Sequence, residues 1–209
     1  MKRQPNWLSC DVYEGTTLMT TVTILGTGNM GPAIASVVER GGHSAQLLGE
    51  ADSATPVSGD IVVLAVPYPA LPQVLAERGA QLAGKIVVDI TNPVDFETFD
   101  SLTVPADSSA AAELAAALPD SRVLKAFNTT FAATLASGTI GDRVTTVLIA
   151  GDDADAKARL GELVTAGGLR AIDAGSLRRA REMEALGFLQ ISLAAGEKIA
   201  WTGGFAVQG

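Results

Sequence analysis

An apolar, β-branched run, Thr21-Val22-Thr23-Ile24-Leu25, feeds directly into Gly26-Thr27-Gly28-Asn29-Met30-Gly31 and then into a helical pattern. A Gly-x-Gly-x-x-Gly turn in that frame reads as the strand, turn and helix of a dinucleotide site. Gly26 suits the tight turn, Gly28 leaves no Cβ between main chain and a pyrophosphate, and Gly31 lets the helix pack close to the strand. The phosphates would then face the helix N-terminus. Free N–H groups and the positive end of the helix dipole hold an anion there without any lysine.

At 209 residues the chain has room for one α/β domain with a short appendage, not for two full domains. Its 47% hydrophobic and 18% charged residues argue for a compact fold rather than a disordered chain. A net charge of −8, with no basic cluster longer than Arg178-Arg179, disfavours a nucleic-acid partner. Cys10 is the only cysteine and His43 the only histidine, which excludes an internal disulfide and a cysteine-built metal site. No apolar run reaches the roughly 18 to 20 residues that a membrane span needs. The first residues also lack a signal peptide's apolar segment, so a soluble, cytoplasmic protein with no membrane partner is expected.

Residues 1–18 are polar and unpatterned, and are expected to stand outside the core as an N-terminal extension. From 19 to 175 short β-branched runs alternate with longer Ala/Leu-rich segments, the pattern of parallel strands and crossover helices. The first helix covers about Pro32 to Arg40 and ends at Gly41-Gly42. Strands are expected at Ser44–Leu48, Ile61–Val66, Lys85–Thr91, Arg122–Phe127, Thr145–Ala150 and Leu169–Asp173, with further helices at Ser108–Leu118, Phe131–Ala136 and Ala154–Ala166. The gap from Gly49 to Gly59 is too short for a crossover helix plus loops, so only a turn or a single helical turn fits there. Residues 176–209 read as a small C-terminal helical part, with Gly187 and Gly196 interrupting it. The fold expected is a Rossmann-type, doubly wound, mostly parallel sheet.

In such a sheet ligands bind beyond the carboxyl ends of the strands. Val66-Pro67-Tyr68 and Asn92-Pro93 end apolar strands with residues that stop the ladder, a shape suited to walls around a nicotinamide ring. Asn128 offers an amide donor and acceptor to a carboxamide or a ring edge. At the end of the second strand stands Gly49-Glu50-Ala51-Asp52, where an acidic residue accepts from ribose hydroxyls and repels a 2′-phosphate. Glu50 therefore favours NAD(H), and no Lys or Arg lies between Gly49 and Gly59. No histidine is placed to act as a base, which argues against dehydrogenation of a hydroxy acid and leaves hydride exchange with a second redox ring, without a catalytic side chain.

Four segments together, Thr23–Gly31, Val88–Pro93, Lys125–Thr129 and Asp173–Leu177, resemble the deazaflavin-dependent NADP oxidoreductases. The reductase domain of six-transmembrane metalloreductases is similar as well. The resemblance runs from about Thr21 to the C-terminus and implies a homodimer using NADP(H) and a deazaflavin or flavin, with the two rings stacked for hydride transfer. It implies that Gly26, Thr27, Gly28, Asn29, Met30 and Gly31 hold the pyrophosphate. Val66, Pro67, Asn92 and Pro93 would flank the nicotinamide, and Phe127, Asn128 and Thr129 would face the acceptor ring. NADP users of the family carry a Ser-Arg pair where this chain has Glu50-Ala51, so resemblance and local chemistry point to different coenzymes.

Two other readings compete with a small-molecule redox acceptor. The Gly-Asn-Met-Gly loop suggests an imine reductase acting on a pyrroline carboxylate, which would need an all-helical domain after the nucleotide domain. Glu50-Ala51 and the shortened second unit suggest a dinucleotide-binding or redox-sensing module without catalysis.

Overall fold

A computed structural model of the protein describes residues 19–208. The expected extension over residues 1–18, Cys10 included, lies outside the described residues. The chain opens with β1 (Thr21–Leu25), α1 (Met30–Arg40) and β2 (Ser44–Leu48), then β3 (Ile61–Leu64), α2 (Leu71–Arg78) and β4 (Ile86–Asp89). There follow α3 (Ala110–Ala117), β5 (Arg122–Ala126), α4 (Ala132–Ser137) and a ribbon of β6 (Thr139–Ile140) with β7 (Arg143–Val144). Finally come β8 (Thr146–Gly151), α5 (Ala154–Ala166), β9 (Arg170–Gly175) and α6 (Ala180–Ala195).

Seven strands form one sheet in the order β2-β1-β3-β4-β5-β8-β9. Alternate residues of each strand enter different cores, because successive side chains point to opposite faces. Ile61 and Val63 pack with Ile34, Val37 and Val38 of α1 on one face, while Val62 and Leu64 pack with Leu71 of α2 and Leu114 of α3 on the other. Each fully buried Val, Leu or Ile contributes roughly 1.5–3 kcal/mol, which explains why β3 and β4 read as continuous apolar runs. The sheet is covered on both sides, and the fold is the expected doubly wound α/β architecture.

Three features depart from the expected pattern. β8 runs antiparallel to β5, and β9 pairs parallel to β8, so this edge pair is reversed. The ribbon turns the chain round before β8, through Gly141 at φ 60° and Asp142, a two-residue hairpin turn that favours glycine. A crossover helix also stands between β3 and β4, where the sequence pattern marks no bounds for one. Pro72 sits in the first turn of α2 and its leucines are few, so its sequence carries little of the 3.6-residue signal. Between β2 and β3 there is only a 3₁₀ turn, Glu50–Asp52, as the short gap requires.

The chain leaves β1 for β2 on one side and returns to β3 on the other, which opens a crevice at their carboxyl ends. Because β8 and β9 run backwards, β9 ends at the far edge of the sheet from this crevice. α6 then climbs from there toward it. Among the described residues no helix is long and apolar enough to cross a membrane.

Candidate functional site

The crevice begins at the glycine turn. Gly26 adopts φ 121°, a conformation that L side chains rarely take, and a Cβ there would also collide with the Ala65 carbonyl. Its N–H donates to Leu48 O at 2.8 Å, while Ala65 N–H donates to Leu25 O at 2.8 Å, so the turn is tied to both neighbouring strands. A Cβ on Gly31 would collide with the Gly26 carbonyl, which makes that contact helix against turn. Gly28 differs: no atom lies within 4 Å of the position its Cβ would take. The first turn of α1 carries no acidic residue and no side-chain cap. Its N–H groups are therefore available to an anion lying over Gly28.

This turn walls a cavity of about 360 Å³ together with Gly49, Glu50, Val66 and Pro67. The size falls within the range of small-molecule sites. Asp52 fixes the floor, its Oδ2 accepting from Gly49 N–H at 2.8 Å. The opposite wall comes from α2, whose Gln73, Glu77 and Arg78 line the same space. Arg78 is 5% exposed and donates to the carbonyls of Asp52 at 2.6 Å and Thr55 at 2.8 Å. That guanidinium staples the short turn in place of the missing crossover helix, whereas Glu50 and Glu77 keep exposed carboxylates at the cavity.

Next along the sheet edge the chemistry changes to buried charge. Lys125 Nζ, fully buried in β5, lies 2.8 Å from Asp89 Oδ2 and 2.8 Å from Glu184 Oε1, and also donates to the Thr91 carbonyl. Asp89 Oδ1 accepts from Thr91 N–H at 2.8 Å, and Glu184 accepts from the N–H groups of Ala110 and Ala111 at the start of α3. Burial pushes the Glu184 carboxyl above 4.5, against the pull of Lys125. Above this cluster Asn92 and Asn128 exchange hydrogen bonds, 2.8 Å from Asn92 Nδ2 to Asn128 O and 2.9 Å from Asn128 Nδ2 to Asn92 Oδ1. Asn128 also donates to Met183 O of α6 at 2.9 Å, and a Cβ on Gly187 would collide with Asn92 Oδ1. α6 thus closes directly on the Asn92-Pro93 turn.

A second groove, about 690 Å³, opens on the other side of the glycine turn. Thr27, Gly28 and Asn29 form one bank, and Phe131, Ala133 and Trp201 the other. The Phe131 and Trp201 rings stand 4.9 Å apart, and Trp201 is half exposed.

The expected site residues thus divide. Gly26, Thr27, Gly28, Glu50, Val66 and Pro67 share one cavity, and Asn29 faces the adjoining groove. Met30 packs against the core and Gly31 lies beneath the turn. Tyr68 turns away from the cavity into a smaller apolar cleft, donating to Glu113 Oε2 at 2.6 Å. Burial, then that carboxylate, push its phenol to about 12, so it stays neutral. Phe127, Asn128 and Thr129 are corrected more strongly: all three are buried, so none presents an open face to an acceptor. The cause is local to the end of β5. Phe127 takes φ 61°, and the Thr130 hydroxyl donates to its carbonyl at 2.7 Å, which drives the ring into the core.

Sequence reasoning missed Glu77, Arg78, Phe131, Trp201 and the Lys125 cluster. Only Lys125 left a signal, a lysine inside the apolar run Val123-Leu124-Lys125-Ala126-Phe127. Among the described residues no group of His, Cys, Asp and Glu is gathered to hold a metal. His43 is structural, its Nδ1 accepting from Thr20 N–H at 3.4 Å.

A family model described as NADP oxidoreductase, coenzyme F420-dependent, matches residues 43–93. The F420-dependent NADP reductase of Methanocaldococcus jannaschii is 31% identical over 162 residues, which cover 75% of this chain and 72% of that protein. The chain belongs to the F420-dependent NADP reductase family. Membership in the F420-dependent NADP reductases places it among the NAD(P)-dependent oxidoreductases. The rat (Rattus norvegicus) metalloreductase STEAP3 is 40% identical over 112 residues, 54% of this chain, and the match spans 22% of the metalloreductase's length. A solved structure from Arthrobacter sp. FB24, assigned as an F420-dependent NADP reductase, superposes with a TM-score of 0.76 at 26% identity, covering 91% of this chain and all of that one.

Proposed function

We propose that this oxidoreductase exchanges hydride between a nicotinamide dinucleotide and a deazaflavin or flavin-like acceptor. The observation that carries the reading is the glycine turn: Gly28 opens into a void that a Cβ would narrow, beside uncapped N–H groups and a cavity of about 360 Å³. Gly26, Thr27, Gly28, Asn29 and the first turn of α1 hold the diphosphate, with Met30 and Gly31 setting the helix against the turn. Glu50 receives the ribose hydroxyls, and Val66, Pro67, Asn92 and Pro93 border the nicotinamide. When bound, the coenzyme supplies a hydride from its reduced ring, which the acceptor takes up together with one proton from water. The chain's residues position and exclude solvent; none donates or removes a proton at the ring.

The groove between Asn29 and the Phe131–Trp201 pair supports acceptor binding there, in place of the buried Phe127–Thr129 segment. The exposed Trp201 indole, backed by the buried Phe131 ring, suits a flat heterocycle. For the coenzyme, Glu50 and Glu77 offer carboxylates where a 2′-phosphate would lie, and the nearby cation, Arg78, is occupied by backbone carbonyls. This supports NAD(H) use in a family named for NADP. β5, β8 and β9 keep extending the sheet across residues 122–175, where the imine-reductase reading expects an all-helical domain, and this counts against that reading.

Calorimetry with NADH and NADPH, followed by stopped-flow mixing with oxidised deazaflavin, tests the reading. Micromolar binding with loss of nicotinamide absorbance is expected. Binding without turnover against deazaflavin or flavin would favour a sensing module, and absence of any binding heat would remove the dinucleotide site.

A further inference from the structure

The buried cluster under the Asn92-Pro93 turn carries more negative than positive charge. Lys125 supplies one ammonium, while Asp89 and Glu184 supply two carboxylates, and the residues carrying them are 0%, 0% and 1% exposed. Both carboxylates only receive hydrogen bonds: Asp89 from Lys125 and Thr91 N–H, Glu184 from Lys125, Ala110 N–H and Ala111 N–H. That is the bonding of ionised groups. The N-terminus of α3 offsets about half a charge through Ala110 and Ala111. A residual negative charge remains in a dry interior, where an unbalanced ion is costly to keep.

The surplus stands at one place in the site. Lys125 bonds the Thr91 carbonyl, one residue before Asn92, and Glu184 is one residue from Met183, whose carbonyl receives the Asn128 amide. Two more electronegative atoms lie there without a hydrogen-bond partner among the described residues, Thr91 Oγ1 and Asn128 Oδ1. The field also reaches the neighbouring wall: Asp89 and Glu184 both act to hold the Tyr68 proton in place, behind the larger effects of burial and Glu113.

Resting on the proposed function, we propose that the Asp89–Lys125–Glu184 cluster is an electrostatic bias for the oxidised coenzyme, so that the chain is set to donate hydride to its acceptor rather than to withdraw it. In the donating direction two electrons and a proton depart together as hydride and the nicotinamide ring gains one positive charge. The acceptor's gained negative charge is cancelled by a proton from water. A fixed negative charge below the ring stabilises the cationic side of that change and leaves the neutral, reduced ring unaffected. Asp89 and Glu184 act through the field and touch neither ring, so they are positioning residues of an electrostatic kind.

Equilibrium binding, not turnover, tests this. Calorimetry on the full chain with NAD⁺, NADH, NADP⁺, NADPH and ADP-ribose gives the dissociation constants. In the native protein the oxidised form should bind at least as tightly as the reduced form of the preferred coenzyme, and more tightly than ADP-ribose, which lacks the ring. Glu184→Gln keeps shape and removes one charge, and Asp89→Asn does the same on β4. Either should move the oxidised-to-reduced affinity ratio about tenfold toward the reduced form, the scale expected for one charge roughly 10 Å away in a protein interior. An unchanged ratio in a folded variant that still binds coenzyme overturns the proposal and leaves the proposed function standing. If neither variant folds, the native protein decides: tighter binding of the reduced than of the oxidised form overturns the bias. Loss of all coenzyme binding in the native protein instead overturns the site assignment itself.

Discussion

Gly28 and Gly187 flank opposite ends of the proposed coenzyme site and respond in opposite ways to an added side chain. Around Gly28 nothing lies within 4 Å of the Cβ position, whereas a Cβ on Gly187 would meet the Asn92 amide. The glycine-turn end leaves empty space over Gly28, between the closely packed Gly26 and Gly31, and its partial positive charge comes from main-chain N–H groups. The Asn92-Pro93 end is filled, drawing Asp89 from the last position of β4 and Asn92 from just beyond it, Lys125 from β5 and Asn128 from just beyond it, and Glu184 and Gly187 from α6. In the proposed reading one end serves affinity through a local device, and the other serves geometry and field through a long-range one.

That contrast can be broken by mutation. The largest effect is expected at Gly26→Ala, which combines a φ of 121° with a backbone collision. A loss of about 4 kcal/mol or more in urea unfolding should follow, with no coenzyme binding in the residual fold. Gly187→Ala should cost about 2–3 kcal/mol and slow hydride transfer at least tenfold, while coenzyme affinity changes less than about threefold. Equal losses of binding and turnover would show that the two ends are not separable. Glu50→Arg should raise NADPH affinity relative to NADH by about 10-fold in calorimetry, the scale of a charge reversal at a partly exposed site. Trp201→Ala should raise the acceptor KM by about fivefold and leave stability within ~1 kcal/mol, since the indole is half exposed.

The smallest effect concerns pH. Burial holds the Glu184 carboxyl above 4.5, so in the acidic range just above that pH the folded chain keeps a proton that the unfolded chain has released, while near neutrality the group is ionised. This group's contribution to stability is therefore present at low pH and fades as pH rises above 4.5. Asp173, lowered by its hydrogen bond with Lys157, has the opposite sign and loses its contribution as pH falls through its folded value. Urea titrations of Glu184→Gln between pH 4 and 7 should lack the rising-pH loss that the native chain shows.

The division between the two ends also decides what the amino-acid sequence discloses. The glycine turn is legible because each requirement, φ at Gly26, space at Gly28 and contact at Gly31, is met within one strand–turn–helix unit. The short Gly49–Gly59 passage is legible from length alone. Lys125 and Asp89 stand 36 residues apart, and only the β4–β5 register brings them together. Glu184 arrives by a helix whose direction depends on β8 and β9 running backwards, and no apolar pattern encodes strand direction. Phe127 was misplaced for a different reason: its left-handed backbone, unusual for an aromatic residue, inverts where its ring goes.

The ascent of α6 has a consequence for how this chain tolerates change. Its 16 residues rise about 24 Å, and each added residue would rotate everything beyond it by about 100°. An insertion between Ala180 and Met183 would therefore swing Glu184 away from Lys125 and carry Gly187 off the asparagine pair in a single step. The helix acts as an indexed shaft: side chains along it can be exchanged one at a time, but its phase cannot be altered. Length variation is consequently expected at the exposed Gly141-Asp142 turn of the ribbon, where no atom lies within 4 Å of the Gly141 Cβ position and the phase of α6 is untouched, and not within α6 itself.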